Sequence, residues 1–302
     1  MPFYILKGDL VNMDVDIIVN ASNINLAMVE GVGRAIFHKA GDQLMAQACR
    51  DIGHCEVGDV AVTPSFGITN TKMIVHAVAP IYFNGKHRED KLLESAYLKS
   101  LKVLNDNNLH SIAFPLLSGE FNYPLSEAYE IAKKTFLKYL KTHKDDEIYL
   151  VLFKNFPLMI NDSFHYELSH YITSNYKKSD NVDVKIADSN KKFMDLIRGY
   201  QQKAKLTDAN LIFKSNLSSR LFKLLITDEK YIPSKNTILS LGIALKLSLN
   251  EIEKLLNSVG YSFDVSSILD LIVIFYLKNK IYDVYQINDA LFNYSIFPLG
   301  AG

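Results

Sequence analysis

The chain has 302 residues, with 33 basic and 33 acidic side chains, so no net field marks nucleic acid or a membrane surface as its partner. Its length suggests two domains, and 48% hydrophobic with 22% charged residues is ordinary for a globular protein. The only cysteines, Cys49 and Cys55, are too few for a disulfide framework or a cysteine zinc centre.

In chain order, residues 3–6, 16–19, 60–63, 73–78, 111–116 and 148–153 are short apolar runs that predict buried strands. Between them, residues 31–40, 90–104 and 126–140 carry apolar side chains at the helical period. Alternating strands and helices predict an α/β fold whose mostly parallel sheet is covered on both faces. Ligands of such sheets bind beyond the carboxyl ends of the strands, which singles out the loops after Val19, Phe114 and Phe153. The polar stretch 177–190 predicts a linker between a first domain, 1–176, and an all-helical domain, 191–302. In the latter, residues 191–203, 208–214, 219–226, 235–245, 249–258 and 266–277 have helical spacing, and Ser248 with Glu251 predicts a capping box. The apolar ending, FNYSIFPLGAG, predicts a tail that docks. The N-terminus has no basic segment followed by a long apolar one, so no signal peptide is expected. The longest apolar run, 268–277, is broken by Asp270 and too short for a bilayer. A cytoplasmic protein without a membrane partner is the expectation.

The stretch VNASNINLAMVEGVGRAIFHKAG is a strand end running through a glycine loop into a helix. Asn20 and Asn23, with Ser22 between them, can meet sugar hydroxyls. Gly31 and Gly33 sit where the helix begins, and its unpaired amides suit a diphosphate. The competing reading is a glycine turn capped by asparagines. IAFPLLSGEFNYP repeats the arrangement, with Ser118 to Phe121 able to offer successive amides to a phosphate. Asp9, after the first strand, is either a base-amine acceptor or a turn residue. His38, His54 and His76 lack metal-ligand spacing, so no metal is expected, and His76 on an apolar strand predicts a buried structural histidine.

In that order, GDLVNMDVDIIVNASN, GVGRAIFHKAG, VGDVAVTPSF, IVHAVAP and SIAFPLLSGEFNYP resemble the macrodomain over roughly the first 155 residues. The resemblance implies a three-layer α/β/α fold with a mixed, mostly parallel sheet that binds ADP-ribose or a derivative, with no other cofactor. It implies that Asp9 contacts the adenine amine, with Leu10 beside the ring, and that Asn23 contacts the distal ribose. Glu30, Gly31 and Val32 would line the first phosphate loop, and Ser118, Gly119, Glu120 and Phe121 the second; Phe153 is an adenine-packing candidate or a core aromatic. Hydrolytic members of the MacroD type carry GGGVDGAI, and their aspartate position here is Gly33, which cannot orient water or take a proton. Asn23 is then the best catalytic candidate, with the catalytic residues otherwise unknown.

Residues 205–261 resemble helix-turn-helix domains of the Cro/repressor type, and also a C-terminal extension found on a group of bacterial macrodomain proteins. Residues 191–235 hold ten basic and four acidic side chains, a bias that suits weak nucleic-acid contact. The recognition-helix segment SSRLFKLLI, however, offers only Arg220 and Lys223 as readers. Three functions follow. The first is a module binding ADP-ribose or an ADP-ribosylated macromolecule, with the helical domain selecting a partner. The second is an ADP-ribosyl hydrolase or O-acyl-ADP-ribose deacylase. The third is a ligand-sensing nucleic-acid-binding regulator. Gly33 favours the first over the second, and the apolar recognition helix weakens the third. Oligomeric state is left open.

Overall fold

The computed structural model describes residues 2–117, 123–152, 162–178, 187 and 189–300. The chain divides into two compact units, Phe3–Phe156 and Pro157–Gly302.

In the first unit, the described residues form one sheet from β1 (Phe3–Lys7), β2 (Ile17–Ser22), β3 (Val60–Pro64), β4 (Met73–Val78), β5 (Ser111–Phe114) and β6 (Glu147–Leu152), in the order β1-β6-β5-β2-β4-β3. Every neighbouring pair is parallel except β3 with β4. Ile17, Ile18 and Val19 of β2 and Ile74 and Val75 of β4 are fully buried, the pattern of strands covered on both faces. Helices α1 (Val32–Ala40) and α2 (Asp42–Ile52) close one face, where Ile36, Phe37, Met45 and Cys49 pack with Ile18, Ile74 and Ala113. Phe114, the next residue along β5, points to the opposite face. There it meets Phe136 at 4.8 Å, and Phe136 meets Tyr97 at 5.1 Å, on helices α3 (Glu89–Asp106) and α4 (Leu125–Leu140). The result is the expected three-layer α/β/α architecture with a mixed, mostly parallel sheet.

β2 runs three residues beyond its expected end at Val19, so Asn20 and Ser22 lie in the sheet rather than in the loop. Helix α2 was not anticipated. It is joined to α1 by Gly41 alone, whose φ of +106° closes the first helix and opens the second.

The second unit is all-helical where it is described. It contains α5 (Asp162–Asn175), α6 (Lys191–Lys203), α7 (Asp208–Ser215), α8 (Ser219–Thr227), α9 (Lys235–Ala244), α10 (Leu249–Asn257), α11 (Ile268–Lys278) and α12 (Val284–Asn293). The expected boundary at 176 is too late: Leu168 and Ile172 of α5 bury in the same core as Phe193, Leu221, Ile252 and Leu271. Nor do the ends of the expected linker, 177–190, hang free. Lys177 N–H donates to Val265 O at 3.3 Å, and Ala187 N–H to Val259 O at 3.1 Å. The buried Asn190 amide donates to the carbonyls of Leu225, Asp228 and Tyr231. The described residues at its two ends are thus hydrogen-bonded to the helical core.

Thr207, Ser218 and Ser234 cap α7, α8 and α9, and the Glu251 carboxylate accepts from the Ser248 amide at 2.9 Å, completing the expected box. The C-terminal tail docks, with Leu299 fully buried and its N–H donating to Asn288 Oδ1 at 2.7 Å. Among the described residues, no helix is long and apolar enough to cross a membrane.

Candidate functional site

The parallel strands bring the carboxyl ends of β1, β2, β4, β5 and β6 to one edge, and the described candidates Asp9, Asn20, Ser22 and Asn23 lie at or just beyond the ends of β1 and β2. Asn20, fully buried, faces His76 across the β2–β4 register, and its Nδ2 donates to His76 Nδ1 at 3.0 Å. Burial pushes His76 down to about 4, so the ring is neutral. With Nδ1 accepting, Nε2 carries the proton and donates to Thr63 Oγ1 at 2.9 Å; the Thr63 hydroxyl in turn points at Met45 Sδ, 3.5 Å away. This buried polar chain leaves Asn20 Oδ1 without a partner among the described residues. A Cβ built on Gly33 would lie 3.3 Å from that oxygen, so the unpaired acceptor faces the first turn of α1. Ser22 Oγ, buried at the last residue of β2, also lacks a partner among the described residues.

The loop leaving β2 is built around Asn23. Its Oδ1 accepts from the amides of Asn25 at 3.0 Å and Ala27 at 3.2 Å, and its Nδ2 donates to Ala27 O at 3.3 Å. The carboxamide expected to meet a ribose therefore closes the 23–27 turn. Gly31 precedes α1 at φ 76° and ψ −127°, a conformation only glycine holds without strain. Val32 is half-buried at the start of α1, and Gly33 is buried within the helix, outside the left-handed region. Among the described residues no side chain caps this helix, which leaves its first amides to meet an anion. Glu30 turns its carboxylate outward, 82% exposed, where Arg34 Nη1 approaches it at 3.2 Å.

After β1, the Asp9 carboxylate accepts from Val11 N–H at 3.3 Å and Asn12 Nδ2 at 3.0 Å, capping the single 3-10 turn Leu10–Asn12. Asp9 remains exposed and Leu10 is buried, so the acid stands at the edge while the leucine packs below. Ser118, Gly119, Glu120, Phe121 and Phe153 lie outside the described residues. The approach to that second loop is fixed, since Leu117 N–H donates to the hydroxyl of fully buried Tyr97 at 3.0 Å.

Sequence reasoning missed Glu89. It opens α3 and is buried, and its carboxylate accepts from the amides of Phe83, Asn84, Gly85 and His87 at 2.6–3.4 Å. Burial pushes its carboxyl up, but the backbone amides outweigh that and hold it at about 2. The loop after β4 is thereby folded around one charge, with Ile81 and Phe83 exposed on it. An acid in the first turn of a helix after a glycine-containing loop was the available signal.

As built, the site has unpaired helix amides, a buried unpartnered carbonyl and a hydroxyl, a set suited to an anionic, hydroxyl-rich ligand. Nothing carboxylic occupies position 33.

Among known families, the one described as Macro domain matches residues 19–132. An uncharacterized protein of Fusobacterium nucleatum is 41% identical over 138 residues, spanning 45% of this chain and 78% of that protein. A macro domain-containing protein of Caldanaerobacter subterraneus is 39% identical over 156 residues, spanning 50% and 88%. An O-acetyl-ADP-ribose deacetylase of Escherichia fergusonii is 38% identical over 156 residues, spanning 50% and 87%. A solved Oceanobacillus iheyensis macrodomain with ADP aligns at a TM-score of 0.48 and 31% identity, covering 50% of this chain and 83% of that one.

Proposed function

The chain belongs to the macrodomain family, and from that premise we propose that its first unit binds ADP-ribose, free or attached to a macromolecule, while the helical unit selects the partner. The observation that carries this reading is the unpartnered Asn20 Oδ1, buried and facing the uncapped first turn of α1. A buried acceptor without a partner is costly, and a ligand donor or bound water there would satisfy it. The helix amides supply the complementary anion site. No other cofactor is invoked. The two free, buried cysteines support a cytoplasmic setting.

Calorimetric titration of the full chain with ADP-ribose and with AMP tests the proposal. ADP-ribose should bind more tightly, since AMP lacks the second phosphate and distal ribose. Equal affinities would remove the α1 cradle from the site.

A deacylase or hydrolase is the second reading, supported by relatives named O-acetyl-ADP-ribose deacetylase at 36–38% identity. Gly33 weighs against it, because the position offers no general base. Nucleic acid as the helical unit's partner has weaker support. On α8, Arg220 and Lys223 share the exposed face with Leu224 and Ile226. Two further cations of the basic segment are spent internally, Arg198 on Asp208 and Lys235 on Asp270.

A further inference from the structure

Two residues of opposite charge flank the turn Gly31-Val32-Gly33. Glu30 precedes it and Arg34 follows it, with Nη1 to carboxylate distances of 3.2 and 3.5 Å. Both side chains are more than half exposed, 54% for Arg34 and 82% for Glu30, so the pair adds little to folding. Arg34 also has a second anchor. Its Nε donates to His38 Nε2 at 3.2 Å, and His38 Nδ1 lies 2.8 Å from the Asp42 carboxylate. The guanidinium can therefore leave Glu30 without losing every partner. The same turn holds the uncapped amides of α1 and faces the unpartnered Asn20 Oδ1, which independently points to a ligand there.

Resting on the ADP-ribose reading, we propose that Arg34 is a specificity-determining contact for the ligand's diphosphate, and that Glu30 is the resident counter-ion which the diphosphate displaces. The physical reason is charge balance at the mouth of the cradle. Although it faces outward, a Glu30 carboxylate two residues before α1 repels an incoming anion through space, and Arg34 neutralises it in the free protein. An arriving diphosphate carries more charge than one carboxylate and presents planar acceptor pairs that suit a guanidinium. A monophosphate competes less well for the same arginine. The pair thus tilts selection toward a diphosphate at almost no cost in fold stability.

The two charges make opposite predictions. Titrating the full chain with ADP-ribose, Glu30→Gln should tighten binding and Arg34→Ala should weaken it, each by about three- to tenfold. Arg34→Ala should cost less with Glu30 present than in the Glu30→Gln background, because with Glu30 the diphosphate must break the resident pair before it gains the arginine. AMP should respond less to each change. All differences should shrink toward about 1 M salt, where screening reaches about 3 Å. Single variants that both shift affinity in the same direction, or that both stay within about twofold of wild type, would mark the pair as an ordinary exposed helix contact and overturn the proposal. Absence of wild-type binding would remove the ADP-ribose reading and this inference together. Wild-type binding with unmoved variants removes the inference alone.

Discussion

Asn20 and His76, 56 residues apart in sequence, share one buried hydrogen bond of 3.0 Å between β2 and β4. The bond decides which way the carboxamide faces: its nitrogen is held by the imidazole, so its oxygen is left toward Gly33. His76 touches no candidate ligand position itself. It orients the Asn20 carboxamide instead.

A pH dependence follows from this pairing. The His76 ring, pushed by burial from 6.5 to about 4, stays neutral in the native protein where the unfolded chain is already protonated. Between those values the unfolded state binds more protons, so stability falls as pH is lowered through that window and is unaffected above it. The full effect is on the order of 3 kcal/mol. Hydrogen exchange of the β2 and β4 amides, corrected for intrinsic rates, should lose protection from pH 7 to pH 5 in wild type. The His76→Leu protein should be less protected at pH 7 yet flatter with pH. The same pH slope in both proteins would exclude His76 as the titrating group.

Glu89 gives a second prediction of the same sign, with a different origin. A carboxylate held at about 2 contributes stability that is fully present above its ordinary value of 4.5 and is lost as pH falls toward 2. Glu89→Gln keeps the shape and removes the charge that gathers four amides. Exchange protection at Asn84, Gly85 and His87 should drop while that of β4 persists. Protection retained in the variant would mean that the loop is held by something other than this carboxylate.

How much of this was legible in sequence varies with how local the cause is. β4 was expected at 73–78 and forms there, because all of its residues but His76 are apolar. β2 was ended early because Asn20 and Ser22 are polar, and polarity is the usual local mark of a strand end. What permits Asn20 inside is His76, which no short window contains. Helix α2 escaped notice because only Met45 and Cys49 are buried, while Leu44 and Ile52 face out and blur the period. Gly31 and Gly33 look equivalent in sequence, yet only Gly31 needs positive φ; Gly33 is small because Asn20 and Val29 crowd it. A bulky residue at Gly31 would therefore strain the loop before it met any ligand.

In the helical unit, the Lys235 ammonium pairs with the fully buried Asp270 carboxylate, which also accepts from Asp264 N–H at 2.7 Å. Burial holds the Asp270 carboxyl above its ordinary value, with Lys235 opposing the rise. Lys235→Met leaves that carboxylate short of its counter-charge and should cost about 3–5 kcal/mol at neutral pH. A raised native value means stability is greatest with the acid protonated and declines as pH rises, so part of the loss should return on acidification. Urea denaturation followed by circular dichroism at pH 7 and pH 5 measures both. A variant as stable as wild type at pH 7 would show that the pair is dispensable.

Whether the site cuts what it holds turns on Gly33. Its backbone is helical rather than left-handed, so an aspartate there meets no backbone strain. Its Cβ would sit 3.3 Å from Asn20 Oδ1 and 3.4 Å from Val29 Cβ, which requires those groups to give by a few tenths of an ångström. The new carboxylate would stand in the first turn of α1, where the helix dipole favours it. Set against that, it would approach the Asn20 oxygen, and His76 keeps the amide from turning over to offer its nitrogen. Gly33→Asp should therefore fold, retain ADP-ribose affinity to within about tenfold, and raise release from an ester-linked substrate by about two orders of magnitude, the low end for a general base. Adding His76→Ala should raise it further if the imidazole-fixed amide is the obstacle. Robust release already in the wild type, lost in Asn23→Ala, would establish a route that needs no acid at this position and make the protein an enzyme rather than a reader.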